Sequence, residues 1–240
     1  VDSWINGELS TGQIRSLNID ELLGRDKIVI ENLAISEQIR HKTVWVTGAA
    51  GSIGSELCRQ ILLLKPSRLV LLDSFEYGLY TVENELLEIK SAVDGGDQIE
   101  LIALLGNVGN AQLMEHTMKR FSVHTVYHVA AYKQVPMVES NIIEGVQNNI
   151  FGTLVSAQAA EKTGVTHFVL ISTDKAVRPT NFMGATKRFA EQVLQAMAYN
   201  KSKTCFSMVR FGNVLGSSGS VVPLFRRQIS LGGPVTVTHA

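Results

Sequence analysis

The sequence is poor in cysteine, in net charge and in long apolar runs, and each shortage excludes a class of protein. Its two cysteines, Cys58 and Cys205, lie far apart and in no metal-ligand spacing, so we expect buried, reduced thiols and no metal site. The 22 basic and 22 acidic residues cancel, which argues against nucleic acid or a charged membrane surface as a partner. The apolar stretch 61–64 is far shorter than the roughly 20 residues of a membrane span, so we expect no membrane contact by this chain.

What is present suits a globular protein with one full core. The chain has 240 residues, 45% of them hydrophobic and 18% charged. It begins with valine and stops just after an apparent strand, so we expect a piece of a longer protein. The predicted organisation is an N-terminal extension at 1–41, with a short helix that ends at Gly24, a dinucleotide-binding domain at 42–212, and the start of an incomplete substrate lobe at 213–240.

Alternating segments indicate the fold class. Short runs rich in β-branched residues predict strands at 43–47, 68–73, 99–105, 125–129, 167–172 and 205–211. Segments between them predict helices at 53–64, 78–91, 110–120, 141–162 and 184–200. Most strand runs are continuous rather than alternating, as expected when both faces are covered. The pattern predicts an α/β fold, a Rossmann-type doubly wound parallel sheet, with ligands beyond the carboxyl ends of its strands.

A glycine-rich turn, TGAAGSIG, follows the first predicted strand and opens a helix. Gly48, Gly51 and Gly54 permit a tight turn and a close approach of backbone N–H groups to a pyrophosphate. Asp73 ends the second strand, where an acid binds a ribose 2′-hydroxyl and repels a 2′-phosphate. The sequence therefore predicts an NAD site.

Further cofactor contacts are predicted where later strands end. Asn107 follows the third strand and offers an amide oxygen to adenine, while the small Ala130 and Ala131 let a cofactor lie against the backbone. The complete predicted cofactor set is Gly48, Gly51, Ser52, Ile53, Gly54, Asp73, Asn107, Val108, Ala130, Ala131 and Lys187.

Several blocks occur in order and together carry a resemblance. They are TGAAGSIGSEL, HVAAYKQVPMVE, NNIFGT, ISTDKAVRPTNFMGATKR, RFGNVLGSSGSVVPLF and GGPVTVTH. Over roughly residues 42–240 the chain resembles the extended short-chain dehydrogenase/reductase family. More narrowly, it resembles the large, membrane-anchored bacterial UDP-N-acetylglucosamine 4,6-dehydratases of polysaccharide biosynthesis. The resemblance implies a cytoplasmic catalytic region, anchored in the parent protein to the inner membrane.

The resemblance also implies a reaction. Oxidation of sugar carbon 4 acidifies the proton on carbon 5; a base removes that proton, an acid protonates the departing 6-hydroxyl, and hydride returns to carbon 6. The net change is loss of water from UDP-N-acetylglucosamine, with NAD regenerated.

The wider superfamily places a Tyr-x-x-x-Lys pair where this chain has Met183 and Lys187. A thioether cannot transfer a proton, so other groups must do the acid–base work. Methionine at this position agrees with the large dehydratases, where it packs against nicotinamide or sugar. The resemblance implies that Lys187 binds the nicotinamide ribose.

Three consecutive residues at the end of the fifth strand are candidates for the chemistry. Thr173 is assigned the hydrogen bond to the 4-oxygen. Asp174 is assigned the acid, provided that burial raises its pKa. Lys175 is assigned the carbon-5 base, provided that its pKa is lowered. The 4-hydroxyl proton leaves by Asp174, by Lys133 or through water, and the sequence does not choose.

Substrate contacts are expected from residues on several elements. The predicted set is Lys133, Asn149, Arg210, Asn213 and Ser217, of which Arg210, Asn213 and the 216–220 loop suit a diphosphate. Arg226 and Arg227 are further candidates. Gln134 departs from a histidine that is common in the family.

Two other functions remain open. A UDP-hexosamine 4-epimerase needs no acid–base pair at carbons 5 and 6, and it depends on the missing tyrosine, so Asp174 and Lys175 argue against it. A non-catalytic dinucleotide-binding domain explains Met183 but not the joint presence of Thr173, Asp174, Lys175 and Lys187. The residue types leave open the exact UDP-sugar and a homo-oligomer; Met183 favours retention at carbon 5.

Overall fold

In the computed structural model of the protein, the described residues are 33–214 and 221–236. They belong to one unit, Leu33–Ala240. The helix predicted to end at Gly24 and the loop residue Ser217 lie outside the described residues. None of the helices described is long and apolar enough to cross a membrane.

Six parallel strands form one sheet in the order β3-β2-β1-β4-β5-β6. They are β1 (Thr43–Thr47), β2 (Arg68–Asp73), β3 (Glu100–Leu105), β4 (Thr125–His128), β5 (His167–Thr173) and β6 (Cys205–Phe211). The order reverses at β1, which pairs with β2 on one side and β4 on the other. The predicted doubly wound parallel sheet is confirmed.

Helices connect the strands on both faces. They are α1 (Leu33–Ile39), α2 (Ser52–Leu63), α3 (Glu76–Ala92), α4 (Ala111–Arg120), α5 (Val135–Ser140), α6 (Ile142–Val146), α7 (Gly152–Thr163), α8 (Phe182–Tyr199) and α9 (Val221–Ser230). Short 3₁₀ turns cover Gly96–Gln98 and Asp174–Ala176, and a π-helical turn covers Gln147–Phe151.

The chain between β4 and β5 differs from the prediction of one helix at 141–162. A separate helix, α5, begins directly after the β4 loop with Pro136 in its first turn, where a missing N–H costs no helical hydrogen bond. The remaining stretch is helical throughout, but the π-helical turn separates α6 from α7. Such turns occur often at functional sites.

Alternate residues of the central strands fill two cores, one on each face. Trp45 and Phe168 pack with α4, α7 and α8, while Val46 and Leu71 pack with α2 and α3. The central strand β1 is buried along its whole length, as predicted. The outer strands β3 and β6 are partly exposed because each has a neighbouring strand on one side only.

The cysteines follow this difference between inner and outer elements. Cys58 on α2 is buried, and burial raises the pKa of its thiol. Cys205 begins the edge strand β6 and is exposed, so the prediction of a buried position is wrong for this residue. Both thiols are free, in agreement with the expected absence of a disulfide.

Candidate active site

A cavity of about 900 Å³ lies at the carboxyl ends of the strands, around the point where the strand order reverses. Open α/β sheets bind ligands in this crevice. The predicted residues that line it are Gly48, Gly51, Ser52, Ile53, Asp73, Asn107, Val108, Ala130, Ala131, Lys133, Thr173, Lys175, Met183, Lys187 and Asn213. Of the predicted residues that the structure describes, four are not part of its wall: Gly54, Asn149, Asp174 and Arg210.

The glycine loop is shaped by close backbone approaches. Gly48 has φ +68°, and a Cβ there would lie 2.6 Å from the backbone nitrogen of Ala130. A Cβ on Gly54 would overlap the carbonyl oxygen of Gly48, so Gly54 acts by packing the first turn of α2 against the loop. Gly51 precedes α2 without a side-chain cap, and the start of this helix, with its partial positive charge, lies at the cavity wall, where it suits an anion.

The carboxylate of Asp73 ties the end of β2 to this loop. Its Oδ2 accepts from the Ala50 N–H at 2.8 Å, and its Oδ1 accepts from the Phe75 N–H at 2.9 Å. Because Asp73 is held at the cavity wall, it presents negative charge to any ligand that follows the glycine loop. This placement suits ribose hydroxyls and disfavours a phosphate on the ribose.

Asn107 also stands at the wall, but its amide oxygen already has a partner. Oδ1 accepts from the Gly109 N–H at 2.7 Å and thereby closes a local turn. The adenine contact predicted for this oxygen therefore competes with the turn. Val108 packs beneath it, where it restricts the space at Gly152.

His128, Thr47 and Thr153 connect the base of the site, and sequence reasoning missed the role of His128 and Thr47. His128 is fully buried; its Nδ1 lies 3.0 Å from Thr47 Oγ1, and its Nε2 lies 3.1 Å from Thr153 Oγ1. Burial, and then the charge of Lys187, lowers the pKa of His128 to about 3. The ring is therefore neutral, and it links β1, β4 and α7. The signal available in the sequence was a lone histidine at the end of an apolar strand.

Asn149 differs from its predicted role as a substrate contact. It is fully buried in the π-helical turn, where its amide donates to the Tyr132 carbonyl and to Thr186 Oγ1, both at 3.0 Å. Its oxygen accepts from the Tyr132 N–H at 2.8 Å. With both polar atoms bound to protein, Asn149 holds the loop after β4 against α8.

Met183 and Lys187 lie one turn apart on α8 and both reach the cavity. Asn181 caps the helix by accepting from the Gly184 N–H at 2.7 Å, which fixes where the helix begins. Only 4% of Lys187 is exposed. Burial lowers the pKa of Lys187 to about 8, although the charge of Glu191 acts in the opposite direction.

The three residues at the end of β5 are not equally placed. Thr173 and Lys175 line the cavity, and the Lys175 ammonium donates to Asp174 Oδ1 at 3.3 Å and to Asn213 Oδ1 at 3.1 Å. Asp174 is exposed and outside the wall. Burial acts to raise its pKa, but hydrogen bonds from Thr173 and Lys175 outweigh burial and lower the pKa. The prediction that burial raises the pKa of Asp174 is wrong.

Arg210 is paired with Glu191 on α8 and is not part of the cavity wall. Its Nε and Nη2 donate to the two carboxylate oxygens of Glu191 at 2.7 and 2.6 Å. Phe211, the next residue of β6, lines the cavity. The diphosphate contact predicted for Arg210 therefore competes with this ion pair and stays a prediction. Arg226 and Arg227 are exposed on α9 and do not line the cavity either.

Comparison with known proteins identifies the family. A family profile described as "Polysaccharide biosynthesis protein" matches residues 44–240. The chain belongs to this family. It is 45% identical to the capsular polysaccharide biosynthesis protein CapD of Staphylococcus aureus and 47% identical to the probable polysaccharide biosynthesis protein EpsC of Bacillus subtilis (strain 168). The alignments cover 100% and 99% of this chain but 39% of each relative, so the chain spans about two fifths of their length.

A solved structure supports the same grouping. The X-ray structure of Pen from Bacillus thuringiensis superposes with a TM-score of 0.77 at 35% identity. The match covers 84% of this chain and 61% of that one. The family resemblance that the motifs predicted is therefore confirmed.

Proposed function

We propose that this chain is the catalytic part of an NAD-dependent dehydratase that converts UDP-N-acetylglucosamine to a UDP-4-keto-6-deoxy-hexosamine for bacterial surface polysaccharide. The observation that carries the proposal is the composition of one cavity wall. Thr173, Lys175 and Lys187 line it together, with Met183 where a tyrosine would stand. A site of this composition has side chains for several proton transfers, although it lacks the tyrosine hydroxyl that the wider superfamily uses.

The residues present fit NAD. The approach of Gly48 to Ala130 makes a cradle that a Cβ would fill, and the uncapped start of α2 supplies amides to a pyrophosphate. Asp73 supplies the ribose contact. When bound, NAD accepts hydride from carbon 4 of the sugar and returns it to carbon 6.

The chain's own residues supply the remaining chemistry. The Thr173 hydroxyl donates to Asp174 Oδ1 at 3.0 Å in the structure, and it exchanges that partner for the sugar 4-oxygen when substrate binds. Lys187, whose pKa lies at about 8, can hold or release a proton near neutral pH. In its charged form, Lys187 therefore places a positive charge beside the nicotinamide ribose. In its neutral form, it is a further group that can accept the 4-hydroxyl proton.

The base at carbon 5 is assigned to the neutral amine form of Lys175, whose Nζ is held at the wall by a hydrogen bond to Asn213 Oδ1 at 3.1 Å. Since Asp174 is exposed and has a lowered pKa, it is a poor acid in this arrangement. We assign the acid step to Lys175 as well. After taking the carbon-5 proton, it delivers that proton to the departing 6-hydroxyl, and a solvent proton replaces it on carbon 5.

The exposure of Asp174 is also the observation that favours a second candidate, a UDP-hexosamine 4-epimerase. Epimerisation needs no acid at the 6-hydroxyl, so an unsuitable Asp174 is no obstacle to it. The absence of a tyrosine at position 183 counts against this alternative.

Mass spectrometry separates the two functions. The 240-residue chain is incubated with NAD and UDP-N-acetylglucosamine, and the sugar nucleotide is analysed. We expect a product that has lost one water. An unchanged mass, with a new epimer in the NMR spectrum of the same sample, would establish the epimerase and refute the dehydratase. An unchanged mass and spectrum would refute both activities for this chain.

A further inference from the structure

A fully buried carboxylate lies behind the catalytic strand, outside the cavity. Glu191, on α8, has no exposed surface. It accepts from Ser172 Oγ at 2.7 Å, from two nitrogens of Arg210 at 2.7 and 2.6 Å, and from Arg188 Nη1 at 3.0 Å. Burial alone raises the pKa of Glu191, but these hydrogen bonds outweigh burial and hold the pKa at about 2. The group is therefore a carboxylate at every pH at which the protein works.

These contacts join three elements that carry the site. Ser172 lies on β5 directly before Thr173, and Arg210 on β6 is its register partner in the parallel pair. Lys187 lies four residues before Glu191, one turn along the same helix. Thr173 therefore follows directly after a residue that donates to this carboxylate, and Lys187 lies one helical turn before it.

The carboxylate also sets the electrostatic surroundings of Lys187. His128 faces Lys187 from β4 but is neutral, and Lys133 and Lys175 on the cavity wall add positive charge. Glu191 is the group whose charge raises the pKa of Lys187 against the effect of burial. Arg188 and Arg210 partly neutralise the charge of Glu191. The electrostatic effect on Lys187 therefore depends on the arginines as well as on Glu191.

We propose that Glu191 and Arg210 are positioning residues, which hold α8 on β5 and β6 so that Lys187 faces the bound cofactor and Thr173 faces the sugar beside it. An apolar contact would fix the helix at lower desolvation cost, but it would not direct a hydrogen bond to Ser172 or place a negative charge behind Lys187. The proposal rests on the proposed function for the identity of the cofactor, NAD. Its geometric part does not depend on whether the sugar is dehydrated or epimerised.

The test is a titration of Lys187 in the 240-residue chain with ¹³C-labelled lysine, assigned with the Lys187→Met variant. We expect the wild-type midpoint at about pH 8. Glu191→Gln removes the negative charge, so the midpoint should fall by about one pH unit. Arg210→Met leaves Glu191 less neutralised, so the midpoint should rise. Both variants should weaken NAD binding, measured by calorimetry, about tenfold.

The matched control is the Glu85→Gln variant. Arg59 makes an equally bidentate pair with Glu85, with 2.6 and 2.8 Å distances, between α2 and α3 and away from the cavity wall. This variant should leave the Lys187 midpoint and the NAD affinity unchanged.

Shifts of opposite sign in the two folded variants support the proposal, because a purely structural role does not produce them. An unchanged Lys187 midpoint and unchanged NAD affinity in folded Glu191→Gln would overturn it. If Glu191→Gln does not fold, Arg210→Met decides by the same two readouts. Ser172→Ala, which removes one hydrogen bond from an uncharged donor to the carboxylate, provides a milder variant with a smaller loss of NAD affinity. Because neither readout uses turnover, a failed dehydration assay leaves this test intact.

Discussion

The two halves of the cleft are built differently. On the β1–β4 side, the glycine loop, Asp73 and the loop after β4 are fixed by backbone contacts and a buried polar chain. On the β5–β6 side, the side chains of Lys187 and Met183 are buried, but those of Asp174 and Lys175 are partly exposed to solvent. Strand β1 is wholly buried, whereas every residue of β6 keeps some exposure.

This difference separates binding from chemistry. A cofactor needs a rigid binding site that excludes a phosphate on the ribose. Buried hydrogen bonds provide this rigidity, but they also prevent the binding residues from moving. A sugar that reacts at three carbons in turn needs side chains that change partners. Lys175, which shares its ammonium between Asp174 and Asn213, is placed to do so.

The largest expected effect belongs to the chemical half. Replacing Lys175 with alanine should reduce water loss by about 10²- to 10⁴-fold, the usual contribution of a proton-transfer group, while NAD binding changes little. Calorimetry and product mass spectrometry measure the two quantities on one preparation. Undiminished dehydration would show that the base is another group, and a parallel loss of NAD binding would break the separation between the halves.

The next effect belongs to the cofactor half. Gly54→Ala forces a methyl group against the carbonyl of Gly48, so the loop must move and NAD affinity should fall by about 100-fold. Gly164→Ala is the control, since Gly164 has φ +78° but open space around its Cα. It should cost about 1 kcal/mol of unfolding free energy and leave NAD affinity unchanged. Equal NAD affinity in both variants would contradict the packing role of Gly54.

A smaller effect should appear in the pH dependence of stability, through the polar chain beneath the cofactor half. The folded pKa of His128 is about 3, so below pH 6.5 the unfolded chain binds a proton that the folded chain does not. The free energy of unfolding should therefore fall by about 1.4 kcal/mol per pH unit as the pH drops below 6.5. His124, whose pKa is lowered by burial, by Lys42 and by His167, acts in the same direction.

Denaturant unfolding between pH 7 and pH 5 measures this slope. The His128→Asn variant should lose most of it, and a variant of the exposed His116, His116→Gln, should keep it. A wild-type slope retained in His128→Asn would show that the buried ring is not its source.

The parts of the fold that depend on local pattern were predictable. The bounds of β1, β2 and β6, the glycine loop and the place of Asp73 follow from apolar runs, turn glycines and strand ends. Met183 and Lys187 were assigned to one helix face by their spacing, and both reach the cavity.

The parts that depend on tertiary register were not predictable. The partner of Arg210 is set by the pairing of β6 with β5 and by the rotation of α8, neither of which has a local signal. The exposure of Asp174 depends on the orientation of the 3₁₀ turn after β5. Because Asp174 is exposed and hydrogen-bonded there, its pKa is lowered, whereas the sequence analysis expected it to be raised. Asn149 was predicted as a substrate contact, but its amide is buried in the π-helical turn, which has no local signal.

The most direct test of the proposed chemistry is dehydration in deuterated water, read by the mass and NMR spectrum of the product. Lys175 removes the carbon-5 proton in our account, and a solvent proton replaces it. We therefore predict a product that has lost one water and carries one deuterium, located at carbon 5. A product that lacks water but retains its original hydrogen at carbon 5, or a sugar nucleotide of unchanged composition, would contradict the account.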